Sequence, residues 1–207
     1  MSKNLLIVFV KNPELGKCKT RLAASIGDEK ALTFYKNMLQ HTKQIADKVS
    51  ATKAIYYSSF VDTNDLWPEN AHYQKHLQST GELGEKMQQA FEEGFKAGFE
   101  RICIIGSDCY TIDEHIIDGA FRALENKKAV IGPSTDGGYY LLGMNEMISA
   151  LFTNKNWSTD SVTKDTLDDL ERLQYSYELM TALTDVDTLE DLETIAKEQR
   201  EALLQDL

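Results

Sequence analysis

Residues 11–21 hold Lys11, Lys17, Lys19 and Arg21 against one acid, Glu14, in a chain whose net charge is −11. A small cationic island in an acidic protein suits a local anion such as a phosphate chain; a nucleic-acid coat would need a broad basic face. The island contains Gly16 and follows an apolar run, so backbone N–H groups can add to the charge of Lys19 and Arg21. A solvated loop with scattered lysines is the plainer alternative. Neither common phosphate fingerprint is present. Cys18 precedes Lys19-Thr20 where a P-loop has glycine, and Gly81 and Gly84 belong to no GxGxxG.

The second group of candidates is acidic. Asp108 directly follows an apolar run, where a carboxylate at a sheet edge can hold Mg²⁺ or Mn²⁺ against a diphosphate; an ordinary turn or capping role competes. Asp185 and Asp187 are two apart, so on an extended segment both point the same way and can share a cation. Acids favoured by a following helix dipole would look the same. Asp136-Gly137 between two apolar runs reads locally as a tight hairpin with positive φ at both central residues; its functional reading places Asp136 in a cleft. Cys18, Cys103 and Cys109 show no metal spacing, and Cys109 reads as a buried, inert thiol. The histidines 41, 72, 76 and 115 have no metal spacing either, because the stretch with His72 and His76 reads as extended.

The elements that must position these residues alternate in type. Residues 5–10, 54–57, 102–105, 129–131 and 139–142 are apolar runs of strand length, with weaker strands at 73–77 and 175–179. Helices are expected over 28–49, where Phe34, Tyr35, Met38 and Leu39 lie on one stripe, and over 83–97. Others run from a Thr111/Glu114 capping box to about 126, after Asn145, over 161–173, and from a Thr188–Asp191 start towards the C-terminus. Strands alternating with helices imply βαβ units and a mainly parallel sheet, whose ligands gather beyond the strands' carboxyl ends. Residues 11–21 and 106–110 both fall at such ends. That shared placement lifts the basic island above chance.

The 207 residues, with no linker, repeat or low-complexity tract, predict one α/β domain over 1–207. The opening apolar run is too short for a signal-peptide core, and no run approaches a membrane span. Three unclustered cysteines fit a reducing compartment, so a cytoplasmic location is expected.

Taken in order, Lys11-Asn-Pro-Glu-Leu-Gly-Lys-Cys-Lys-Thr-Arg-Leu22, Gln78-Ser-Thr-Gly-Glu-Leu-Gly-Glu-Lys-Met87, Gly106-Ser-Asp-Cys109, Gly132-Pro-Ser-Thr-Asp-Gly-Gly-Tyr-Tyr140, Trp157-Ser-Thr159 and Asp185-Val-Asp-Thr-Leu-Glu-Asp-Leu192 resemble the DUF2064 group in the nucleotide-diphospho-sugar transferase superfamily. The resemblance spans nearly the whole chain. It implies the GT-A fold, a Rossmann-like α/β/α sandwich, and nucleotidyl or glycosyl transfer from an NTP or nucleotide-sugar to a small acceptor with Mg²⁺ or Mn²⁺. It assigns Lys11, Gly16, Lys19 and Arg21 to the phosphates, with Lys19, Arg21 and Asp136 as catalytic candidates. Gln78, Gly81 and Leu83 would border base and ribose. Asp108, Asp185 and Asp187 would bind metal; Asp136, Gly137, Trp157 and Thr159 would face the acceptor. Two departures stand out: Cys109-Tyr110 where the group often carries Pro after Asp-Ser or Asp-Cys, and Leu189 where Pro is frequent. The basic loop slightly favours a triphosphate. A non-catalytic nucleotide sensor on the same scaffold is the alternative.

Overall fold

Strand β1 (Asn4–Val10) is buried along nearly its whole length and carries alternating residues to opposite faces of the sheet. The computed structural model describes residues 2–205. Leu6, Val8 and Val10 pack with Tyr35 and Leu39 of helix α2 (Asp28–Lys48) and with Ile117 and Phe121 of α4 (Glu114–Ala123). Leu5 and Ile7 pack on the other face with Met87, Ala90 and Phe91 of α3 (Leu83–Lys96). Strand β1 pairs in parallel with β2 (Thr52–Tyr57) on one side and β4 (Arg101–Ile105) on the other. The remaining strands are β3 (Tyr73–Leu77), β5 (Ala129–Pro133), β6 (Tyr139–Met144) and β7 (Tyr177–Leu179).

The strand order is β3-β2-β1-β4-β6-β5-β7, and β6 runs antiparallel to its neighbours β4 and β5. The chain order therefore reverses between β1 and β4, the kind of switch point beyond which a crevice opens at the strands' carboxyl ends. Loops 11–19 and 106–113 both leave the sheet there. The expected α/β architecture and its seven strands are present.

A third apolar cluster fixes the approach to that crevice. Leu22 of α1 (Thr20–Ile26), Phe34 and Met38 of α2, Val186, Leu192 of α6 (Leu189–Glu193), Ile195 and Leu203 of α7 (Lys197–Leu203) pack together. The loop after β1 and the segment before α6 are thus tied to one body.

Several expectations shift in detail. Helix α1 shows no sequence signal because seven residues are too few to display a period. The α4 cap is Asp113, whose side chain accepts from Ile116 N at 2.8 Å, two residues later than the Thr111 of the expected box. After Asn145 there is a 3₁₀ turn (Ser149–Phe152) rather than a longer helix, and Asn154 beyond it has positive φ. The helix after Thr188 begins with the expected capping box but breaks into α6 and α7. Thr194 turns its hydroxyl back onto Asp191 O at 2.6 Å, and Ile195 buries into the third cluster. Helix α5 (Val162–Arg172) lies where the pattern placed it. No helix among the described residues is long and apolar enough to cross a membrane.

Candidate functional site

Val186 is the pin of the site. Its side chain is buried with Leu22, its N–H donates to Asp108 O at 2.9 Å, and its carbonyl accepts from Lys19 Nζ at 2.7 Å. With Val186 turned into the core, Asp185 and Asp187 on either side of it both line the crevice. One apolar residue thereby brings three distant segments, 19, 108 and 185–187, to one place.

There the Lys19 ammonium lies 2.5 Å from Asp108 Oδ1 and 2.8 Å from Asp187 Oδ1. The lysine side chain is 3% exposed, whereas those of Asp108 and Asp187 are 41% and 43% exposed, so the acids form the wetted edge of the cluster. Burial works against the charge of Lys19, but the two carboxylates outweigh it and hold the ammonium above the ordinary lysine value. Burial likewise opposes ionisation of Asp187, and the Lys19 charge prevails, keeping its carboxyl below the usual range. Asp185 is different. Burial, with Asp108 and Asp136 nearby, pushes it up to about 6 although the Ser134 hydroxyl donates to it at 2.8 Å. The two acids separated by Val186 thus have different partners.

The crevice has a volume of about 790 Å³. Lys11, Arg21, Gln78 and Leu83, which the resemblance assigns to the nucleotide, line it. Lys11 and Arg21 are exposed, and among the described residues neither forms a salt bridge. The Gln78 amide is tethered by donation to Tyr56 O at 3.0 Å. Gly16 and Gly81 are exposed and do not line the crevice. Tyr35, read from sequence as a core residue of α2, reaches the site floor: its hydroxyl accepts from Lys11 N at 2.8 Å and lies 3.2 Å from Ser107 Oγ. A periodic tyrosine gives no sign of this beyond its need for a hydroxyl partner.

The β5–β6 hairpin and the Trp157 segment, which the resemblance assigns to the acceptor side, contribute further lining. The hairpin is a three-residue loop rather than the expected two-residue turn. Ser134 N donates to Gly138 O, Gly137 N donates to Ser134 O, and Gly137 at φ 91°, not Asp136, adopts the left-handed conformation. A Cβ on Gly137 would lie 2.1 Å from Asp160 O, so the hairpin tip docks on the entrance to α5, and Gly137 itself, expected on the acceptor side, does not line the crevice. Asp136 is exposed and lines the crevice with Tyr139, Trp157, Thr159 and Asp160. The indole of Trp157 rests on Gly84 of α3, where any Cβ would meet the ring at 2.4 Å. Lys86 and Tyr139 lie inside the segments 78–87 and 132–140 but were given no role from sequence, and Asp160 falls just past the 157–159 segment. The Cys109 thiol is buried and pushed up to about 11 by that burial, consistent with an inert role.

A hard divalent ion is the group this donor set suits, since Asp108, Asp185 and Asp187 offer only carboxylate oxygens. Among the described residues no three His, Cys, Asp or Glu side chains converge tightly enough to form a ready cage; the Lys19 ammonium spans two of the acids instead.

The family profile described as "Uncharacterized protein conserved in bacteria (DUF2064)" matches residues 40–159. The chain belongs to this family. A crystal structure from Desulfovibrio desulfuricans G20, provisionally described as a nucleotide-diphospho-sugar transferase, is 28% identical at a TM-score of 0.89, covering 99% of this chain and 97% of that one. Two more distant structures share the fold. The inositol-1-phosphate CTP transferase of T. maritima has 13% identity and a TM-score of 0.58, with 96% and 94% coverage. Rv0371c of Mycobacterium tuberculosis H37Rv, in complex with manganese, has 9% identity and a TM-score of 0.55, with 92% and 96% coverage. No curated protein matches the chain. This DUF2064 protein thus has a nucleotide-diphospho-sugar transferase fold, with its acids and free cations at one switch point.

Proposed function

We propose that the protein is a metal-dependent transferase that takes a nucleotide-sugar into the crevice and passes the glycosyl group to a hydroxyl of a small acceptor. The observation that carries this reading is the meeting of Asp108, Asp187 and Lys19 in the same crevice as the exposed cations Lys11 and Arg21. Lys11 and Arg21 neutralise the donor phosphates, and Gln78 and Leu83 border base and ribose. Asp108 and Asp187, with Asp185 beside them, would hold Mg²⁺ or Mn²⁺, which supplies Lewis-acid stabilisation of the departing diphosphate. The manganese bound by Rv0371c supports this choice of ion.

Charge on the acceptor side favours glycosyl over nucleotidyl transfer. The hairpin and residues 157–160 contribute Asp136 and Asp160 and no cation. A phosphorylated acceptor, needed for attack on an α-phosphate, would meet repulsion there, whereas a hydroxylated ring can lie on Trp157 and donate to the carboxylates. Lys86 on α3 is the one cation among the described lining residues outside the first loop and Arg21. In the transfer step the acceptor oxygen bonds to the anomeric carbon as the bond from that carbon to the diphosphate oxygen breaks. The hydroxyl proton passes to Asp136 and the electron pair leaves with the diphosphate. Positioning and preorganised charge supply the rate.

The test is a thermal-shift panel of nucleotide-sugars and NTPs with and without Mn²⁺, followed by turnover of the best binders. Release of nucleoside diphosphate together with glycosyl transfer to a hydroxyl acceptor is expected. Pyrophosphate release from an NTP with a sugar phosphate would establish nucleotidyl transfer instead. Chelator-insensitive binding without turnover on any acceptor would establish a sensor.

A further inference from the structure

We propose that Lys19 is an internal counter-ion occupying the divalent cation's place between Asp108 and Asp187, so that the protein refuses a bare ion and admits it only with a diphosphate. This inference rests on the metal-dependent reading above and concerns the order in which its ligands can bind.

All three protons of the ammonium have protein acceptors: Asp108 Oδ1, Asp187 Oδ1 and Val186 O. None remains for a phosphate while that arrangement lasts, so Lys19 differs in kind from Lys11 and Arg21. The backbone points the same way. Lys19 sits at φ 48°, ψ 46°, a left-handed conformation in which glycine would be the relaxed residue. A lysine held there, with its ammonium enclosed, shows that the position requires the side chain and not merely the turn.

The consequence is electrostatic. Asp108 and Asp187 carry two negative charges, and one is already balanced by an ammonium in contact with the oxygens an ion would use. A bare divalent ion therefore meets a half-neutralised pair and the repulsion of Lys19. A diphosphate alters both terms: it brings its own negative oxygens to the ion and offers Lys19 new acceptors. Ion and diphosphate then favour each other's binding by a reciprocal factor.

The test measures Mn²⁺ binding by the electron paramagnetic resonance signal of the free ion, for wild type and Lys19→Met, with and without inorganic pyrophosphate. Lys19→Met should bind bare Mn²⁺ at least about tenfold more tightly than wild type, and pyrophosphate should enhance Mn²⁺ binding less than in wild type. Lys19→Gln, which keeps a donor and loses the charge, should behave likewise and serves if the methionine variant does not fold. Bare-ion affinity in either folded variant equal to or weaker than wild type, with pyrophosphate-dependent binding intact, overturns this inference alone. Failure of every form to bind Mn²⁺ even with pyrophosphate removes the metal-dependent reading and this inference together.

Discussion

Lys19 and Lys155 both have almost completely enclosed side chains, and their surroundings are opposite in sign. Lys155 is 1% exposed and lies 2.6 Å from Asp169, which is gripped from its other side by Arg172 at 2.7 Å: one acid between two cations. Lys19 is one cation between two acids, and both acids open to the crevice. The first cluster has its acid saturated by protein, so it braces α5 against the segment that follows the 3₁₀ turn. The second leaves carboxylate charge facing solvent, in reach of an ion or a hydroxyl. Burial of an ammonium therefore does not mark function. The balance of charge around it, and what the surplus faces, does.

The largest effect that would sharpen this contrast is catalytic. Asp108→Asn should lower metal-dependent turnover by roughly a hundred- to thousandfold while nucleotide binding without metal and the melting temperature change little. A large fall in stability with turnover per folded molecule retained would make the Lys19 cluster a brace like the other. Lys155→Met should do the reverse. Because Asp169 keeps Arg172, the loss should be that of one charged hydrogen bond, about 2 kcal/mol in chemical denaturation, with nucleotide affinity unchanged; a loss of affinity would break the contrast from the other side.

The smallest effect is the pH dependence of that same brace. Burial disfavours the ionised Asp169, but Lys155 and Arg172 overcome it and hold its carboxyl below the ordinary 3.8. A depressed acid stabilises the fold at pH values above its unfolded value, and that contribution disappears as pH falls through the lower, folded one. The stability gap between wild type and Asp169→Asn should therefore be constant near neutrality and close only below about pH 4. A gap that closes between pH 6 and 8 would contradict the assignment.

Much of the frame was legible because burial writes a period into the chain. Strands β1 and β4 are unbroken apolar runs, and α2 and α3 carry stripes at helical spacing, so the loops leaving the strands' carboxyl ends could be placed, whereas the strand order and its switch point were not read. The site was legible in kind: Asp108, Asp136, Asp185, Asp187, Lys11, Arg21 and Trp157 all reach one crevice. The inward turn of Lys19 was not. Loop composition shows a cation, but its inward turn depends on Leu22 and Val186 sharing a core across most of the sequence. The resemblance places Gly16 and Gly81 at the ligand, but both are exposed outside the crevice, and glycine in a polar loop does not itself say whether a ligand or a turn requires it. The hairpin type depended on the docking of Gly137 against Asp160, which local sequence does not contain.

Anomalous diffraction from crystals soaked with Mn²⁺ and the best-binding nucleotide tests the shared crevice most directly. A manganese peak in coordination contact with Asp108 and Asp187, with the donor's phosphates between it and Lys11 and Arg21, is the predicted result. Phosphates bound outside the crevice, or manganese held by other residues, would contradict it.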